Sequence, residues 1–312
     1  MNYRHAFHAG NFADVVKHVA LALCLDRLNV KAAPYRFIDT HAGSGLYDLG
    51  GEEAQRSPEW RDAVARLWMS GPDVPAAVVE ALSAYMRVLH DINPEGALRL
   101  YPGSPVIAAR LMREQDAIRL CELHPESAAK LRETMAGDER VKIEVRDGFA
   151  ALAAYLPPPE RRGLVLIDPP FEEGVSDRKL DFEWMHRALR KAVKRWPGGT
   201  YLLWRPLKDI AAVGAFDDAM ATMLIEELGL KPESLLVADL WVRPAGPGPL
   251  SGAGILIVNP PFGLRERLAS ALPWLSSVLD QTPDDAGAST AGWRLTSPEA
   301  EDPDDLMEEE PW

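Results

Sequence analysis

Apolar residues in this chain follow two alternating patterns. Short, nearly continuous runs occur at Tyr35–Asp39, Ala117–Cys121, Val141–Val145, Leu164–Ile167, Thr200–Trp204, Leu235–Val242 and Gly254–Val258. They are too brief for helices, and their unbroken hydrophobicity predicts strands covered on both faces, as in a parallel sheet. Between them apolar residues recur at helical spacing. Asn11 or Asp14 can cap a helix through Val15, Val16, Val19, Leu21 and Leu25, and Ser104 can cap one through Ile107, Ala108 and Leu111. Lys179–Trp196 predicts an amphipathic helix with a basic face, which ordinarily means only a solvated one. Strands alternating with helices predict an α/β, doubly wound, Rossmann-like sheet of seven strands.

Two departures refine that picture. From Leu49 to Gly103 the pattern is helical throughout, broken only by Pro72-Asp73-Val74-Pro75, and no strand is expected there. It predicts a small helical subdomain (49–100) inserted into a main domain formed by 1–48 and 101–280. The last two strands are joined by Arg243–Gly252, too short for a helical crossover. The seventh strand is therefore expected to run antiparallel. Its terminal Asn259-Pro260-Pro261-Phe262 would then point away from the crevice where the other strands end.

Chemistry collects at those carboxyl ends. The first strand runs into Asp39-Thr40-His41-Ala42-Gly43-Ser44-Gly45, whose glycines let backbone approach a ligand. The second ends in Glu122, placed to hold a ribose diol. Asp147, after the third, can accept from an adenine amino group while Gly148 lets the ring lie close. The fourth ends in Asp168-Pro169-Pro170-Phe171. There the carboxylate and the Pro169 carbonyl can each accept one hydrogen of a planar amine, with Phe171 as a stacking face. Each acid alone is equally explained as a helix cap. Four in succession, at ends that line one crevice, favour a site.

Composition narrows the class. With 47% hydrophobic and 26% charged residues the chain is that of a soluble globular protein, and no apolar run reaches a membrane span. No signal peptide is evident, and Cys24 and Cys121 lack metal-ligand spacing. A cytoplasmic protein without metal or membrane partners is expected, acting as a monomer. The net charge of −13 is concentrated in the C-terminal 32 residues, with ten acids against one arginine; the other 280 carry 33 basic and 37 acidic residues. Residues 281–312 are expected to be a disordered acidic tail, and any nucleic-acid contact must rest on a local patch. The opening Met1–His18, with three His, an Arg, a Lys, a Tyr and two Phe, can be such a patch or a packing arm.

Taken together, Tyr3–His18, Asp39–Gly45, Tyr101-Pro102-Gly103-Ser104-Pro105, Glu122-Leu123-His124-Pro125, Asp147-Gly148 and Asp168–Glu172 resemble the RlmJ family of class I S-adenosylmethionine-dependent methyltransferases, over roughly residues 1–280. The resemblance implies methylation of an adenine N6 in 23S ribosomal RNA (adenine 2030) with S-adenosyl-L-methionine as cofactor. It also implies that His18, His41, Gly43, Ser104, Glu122, Asp147, Gly148 and Asp168 contact the cofactor. Asp168 is implied as catalytic, with Pro169 and Phe171 beside it, and Tyr3 and Lys17 as engaging the RNA within a recognition segment 1–18. Rival expectations are methylation of a protein glutamine or small aromatic amine, and a non-catalytic cofactor-binding module.

Overall fold

The computed structural model describes residues 5–171, 178–246, 248–282 and 288–298. In chain order the elements are α1 (Phe12–Asn29), β1 (Arg36–Asp39), β2 (Leu46–Asp48), α2 (Glu52–Arg56), α3 (Val64–Trp68), α4 (Ala76–Ile92), β3 (Leu100–Pro102) and α5 (Ser104–Leu111). Then come β4 (Ala117–Cys121), α6 (Pro125–Thr134), β5 (Val141–Glu144), α7 (Gly148–Tyr155), β6 (Gly163–Ile167), α8 (Arg178–Arg195) and β7 (Thr200–Leu207). The chain continues through α9 (Ile210–Ala221), β8 (Leu235–Trp241), β9 (Gly252–Val258), α10 (Leu264–Val278) and β10 (Gly292–Thr296).

The main sheet has the order β10-β8-β9-β7-β6-β1-β4-β5. Its strands β5, β4, β1, β6 and β7 are mutually parallel, and β9 runs antiparallel between β7 and β8. All seven expected strands are present, with the seventh reversed as its short connection requires. This is a doubly wound, Rossmann-like sheet. Asp39 lies in register with Leu120 of β4 and Leu166 of β6, so the carboxyl ends of these strands stand at one level.

One face of the sheet is covered by α1, α4, α5 and α10, the other by α7, α8 and α9, each over its own apolar cluster. Helix α1 is buried on all sides from Phe12 to Leu25. Its polar residues Asp14, Lys17 and His18 are therefore carried into the interior, and each must find a partner there.

Three expectations need correction. The segment 49–100 is helical, but Leu100 begins β3, which pairs antiparallel with β2. Three-residue strands are too short to show an alternation. The insertion also has no core of its own, since Val78, Leu82, Tyr85 and Leu89 of α4 join the cluster beneath α1. Finally, residues 281–312 are not wholly a disordered tail. Gly292–Thr296 forms β10, an eighth strand on β8, and Arg294 closes on Asp239 at 2.6 Å.

Candidate functional site

A cleft of about 740 Å³ opens where β1, β4, β6 and β7 end, a volume suited to a nucleoside-sized ligand with room beyond it. The glycine loop enters it first. Gly43 and Gly45 have φ of +63° and +82°, conformations that side chains resist. A Cβ on Gly43 would stand 2.4 Å from the Tyr47 hydroxyl. Opposite, at the end of β4, Glu122 accepts from the Gly43 and His124 amides at 2.8 and 2.7 Å. Its carboxylate thus bridges the loop and the start of α6.

Asp39, beside the loop, is fully buried and does not line the cleft. It accepts from the Ser104 hydroxyl at 2.6 Å and the His41 amide at 3.1 Å, and burial raises its pKa to about 7. Only three of the four strand-end acids, Glu122, Asp147 and Asp168, therefore reach the cleft. Ser104 lines it as well, but as the first residue of α5; Gly103 is the N-cap, so the expected serine cap is displaced by one position.

His41 hydrogen-bonds Thr40 Oγ1 at 2.8 Å, and that hydroxyl donates onward to the Leu166 carbonyl. Nδ1 of His41 must then be the donor, which leaves Nε2 as an acceptor. Burial lowers the pKa of His41 to about 4. His18 shares a 2.8 Å hydrogen bond with the Tyr101 hydroxyl, and its own Nε2 is buried with no partner among the described residues. Burial and the nearby Lys17 hold it neutral, well below the usual histidine range. An orphaned imidazole nitrogen at a cleft wall is a place for a ligand's polar group.

Asp147 accepts from the Ala150 amide at 3.0 Å and caps α7, so at least one carboxylate oxygen is engaged structurally. Gly148 also lines the cleft, and packing alone already requires glycine there: a Cβ would lie 1.9 Å from the Thr40 carbonyl oxygen.

At the end of β6, Asp168 receives Lys17. The ammonium stands 2.5 Å from Asp168 Oδ2 and 2.9 Å from Asp14 Oδ1, with the lysine only 5% exposed. Burial alone would discharge Lys17, but the two carboxylates outweigh it and raise its pKa. Asp14 is in turn bound by His5 Nε2 and the Gly10 amide, and despite burial the fields of His5 and Lys17 hold it far below the ordinary carboxylate range. The N-terminal segment is therefore wired to Asp168 through Asp14 and Lys17. No periodicity announces that link, although the 14/17 spacing permits the first contact.

Pro169 and Pro170 line the cleft beside Asp168. The Phe171 ring is not an open stacking face. It is 8% exposed and lies edge-on to Phe182 and Trp204, with centroids 5.2 and 5.5 Å apart. The half-buried indole of Trp204 also borders the cleft. Tyr3 lies outside the described residues. The rival Asn259 sits at the opposite end of the strands and donates to the Pro197 and Gly199 carbonyls at 2.7 Å each.

Comparison with known proteins decides the family. The model of the family described as ribosomal RNA large subunit methyltransferase D, RlmJ, matches residues 32–295. The chain belongs to the RlmJ family. It is 39% identical over 296 residues to the ribosomal RNA large subunit methyltransferase J of Escherichia coli K12, covering 94% of this chain and 98% of that protein. To the Haemophilus influenzae protein of the same name the identity is 36%, with the same coverage of each. A crystal structure of a Legionella pneumophila protein superposes with a TM-score of 0.79 at 30% identity, over 93% of this chain and 98% of that one. The RlmJ match begins beyond α1, whereas the E. coli and H. influenzae alignments cover nearly the whole chain. Among the described residues no helix is long and apolar enough to cross a membrane, and no cluster of metal ligands is present.

Proposed function

We propose that this RlmJ-family protein methylates the exocyclic N6 of an adenine in 23S ribosomal RNA, by resemblance adenine 2030, using S-adenosyl-L-methionine. The observation that carries the reading is the shared cleft. The glycine loop and Glu122 form one wall, and the Asp168-Pro169-Pro170 turn stands at the same opening with Lys17 locked to its acid. The family's description and the names of its curated relatives support ribosomal RNA as the substrate class.

The residues present fit the cofactor. Glu122 offers a carboxylate to a ribose diol at the end of the second parallel strand, and the glycine loop lets backbone approach closely. His18 Nε2 supplies a buried polar atom with no partner among the described residues. Bound there, S-adenosyl-L-methionine supplies an electrophilic methyl group.

The chain's own work is to present the nitrogen. Lys17 fixes one oxygen of Asp168, while Oδ1 makes no hydrogen bond among the described residues and can accept from the amine. The Pro169 carbonyl can take the second amino hydrogen. Two acceptors in fixed positions draw the nitrogen lone pair out of conjugation with the ring. Holding both reactants in line can remove roughly 7–11 kcal/mol of barrier. Attack precedes deprotonation, so Asp168 orients the amine first and receives the proton once the nitrogen is cationic. The target base must be unpaired or flipped to reach this depth.

The test is incubation with methyl-tritiated S-adenosyl-L-methionine and unmodified 23S ribosomal RNA, followed by nucleoside analysis. Label in N6-methyladenosine is expected. Label on protein glutamine or on a small amine instead, or none on RNA, would refute the proposal.

A further inference from the structure

Behind the cleft wall three polar side chains stand in line. His18 Nδ1 lies 2.8 Å from the Tyr101 hydroxyl, which lies 3.2 Å from the Tyr85 hydroxyl. His18 belongs to α1, Tyr101 to β3 and Tyr85 to α4, so the inserted segment supplies two of the three. All are buried, none more than 1% exposed, and of the three only His18 borders the cleft. The line therefore runs from the interior of the insertion to the wall of the site.

Its protons can be ordered in two ways. If His18 Nδ1 donates to Tyr101, the Tyr101 proton passes to Tyr85, and the Tyr85 proton is left buried without an acceptor among the described residues. If Tyr85 donates to Tyr101 and Tyr101 donates to Nδ1, every proton in the line has an acceptor. A buried hydroxyl proton left unused is costly, and bonds that point one way reinforce each other, so the second order prevails. Burial and Lys17 keep His18 neutral, and a neutral imidazole has a single N–H. With Nδ1 accepting, that N–H is at Nε2, the atom that has no partner among the described residues. His41 is the reverse case, since its Nδ1 donates to Thr40 and its Nε2 accepts. Two neutral imidazoles of opposite polarity thus border one cleft.

We propose that Tyr101 is a positioning residue that holds His18 in the Nε2–H tautomer, so that His18 meets the bound cofactor as a neutral hydrogen-bond donor to one of its acceptor atoms. The identity of the ligand rests on the methyltransferase reading above; the tautomer is a property of the chain alone. The insertion then has a part in the site without touching it, by setting the proton of a residue on α1.

The first measurement is on the ligand-free protein, labelled with nitrogen-15 at histidine. Long-range proton–nitrogen correlation spectra distinguish protonated from bare ring nitrogens, and His18→Gln and His41→Gln assign the two rings. In the wild-type protein His18 is expected to carry its proton on Nε2 and His41 on Nδ1. Tyr101→Phe removes one oxygen from a packed ring and is expected to leave His18 divided between the two tautomers, with His41 unmoved. Calorimetric titration with S-adenosyl-L-homocysteine, the demethylated cofactor, reads the consequence. Kd is expected to weaken by about threefold to tenfold in Tyr101→Phe, the worth of one hydrogen bond. In methylation assays KM for the cofactor rises likewise while KM for ribosomal RNA holds. Tyr85→Phe is the control for packing. It also removes a buried hydroxyl from the line, but Tyr101 keeps His18 as its acceptor, so both tautomer and Kd are expected to stay at wild-type values.

A His18 proton on Nδ1 in the wild-type protein would overturn the inference. So would wild-type tautomer and Kd in Tyr101→Phe, or equal losses in Tyr101→Phe and Tyr85→Phe. Methyl transfer by the wild-type chain would stand in each of these cases. Conversely, the expected tautomers in a protein that binds no S-adenosyl-L-homocysteine would defeat the methyltransferase reading, and with it the ligand, while the role of Tyr101 in setting His18 would hold.

Discussion

The chain contains the turn Pro-Pro-Phe twice, each time at the end of a buried strand, and the two copies have opposite fates. Asp168-Pro169-Pro170-Phe171 ends β6, which runs parallel to its neighbours, so the acid arrives at the cleft. Asn259-Pro260-Pro261-Phe262 ends β9, which is reversed, and arrives at the opposite end of the strands from the cleft. There the Asn259 side chain is spent on two backbone carbonyls, and the Phe262 ring is 89% exposed. Even the backbones differ. In the first copy the left-handed residue is Phe171 at φ 45°, an uncommon conformation for an aromatic; in the second it is Asn259 at φ 52°, where asparagine is at ease. A motif of this length carries chemistry only where strand direction delivers it, and a ten-residue connection decides that direction.

The largest expected difference between the two is catalytic. Asp168→Ala is expected to lower methyl transfer by at least about 10³-fold, roughly 4 kcal/mol of barrier, with the fold retained. Asn259→Ala is expected to leave turnover unchanged and to cost about 1–2 kcal/mol of stability, the worth of its two hydrogen bonds. Tritium transfer to ribosomal RNA and urea denaturation of both variants check the pair. Loss of activity in Asn259→Ala at wild-type stability would reverse the assignment.

The partners of the turns come next. Lys17 is buried between two carboxylates, so Lys17→Met is expected to cost about 3–5 kcal/mol by leaving Asp14 and Asp168 uncompensated. Arg27 braces the second turn from outside, donating to the Phe262 carbonyl at 2.7 Å, and Arg27→Ala should cost about 1 kcal/mol or less. The rings are expected to rank likewise. Phe171→Ala removes a packed side chain for about 3 kcal/mol, whereas Phe262→Ala stays within about 0.5 kcal/mol. Equal losses within either pair, measured by denaturant titration, would dissolve the distinction.

The sequence carried the sheet because its strands are apolar on both faces, and the reversed last strand because its connection is short. It hid β10, whose Trp293 and Leu295 lie in a short segment between the acidic residues of the C-terminal stretch. It hid β2 and β3, which span three residues each. At the site, the strand-end acids and the glycine loop were legible as chemistry at element boundaries. The inward turn of Lys17 was not, since a lysine in a helix reads as solvated until the helix proves buried on every side. Phe171 shows the converse: an aromatic next to a strand-end acid suggests stacking, but Phe182 and Trp204 pack edge-on against it.

The last expected effect belongs to the cleft side alone and is a slope rather than a loss. Asp39 has a pKa of about 7 against an ordinary 3.8, so between those values the folded chain keeps a proton that the unfolded chain has released. Its contribution to stability therefore falls as pH rises from about 4 to 7. His41 has a pKa of about 4 against 6.5, so in that window the unfolded chain binds a proton that the folded one refuses, and its contribution falls as pH drops. The two oppose each other across most of one range and mask one another in the wild-type protein. Relative to wild type, Asp39→Asn should therefore gain stability with rising pH from 4 to 7, while His41→Gln should gain with falling pH from 6.5 to 4. Each slope is at most about 1.4 kcal/mol per pH unit, the limit for one proton, and cleft water reaching the partly exposed His41 makes its own shallower. Denaturant titrations at pH 4.5, 5.5 and 6.5 check this, and parallel profiles for the two variants would show that neither group titrates as the buried loop requires.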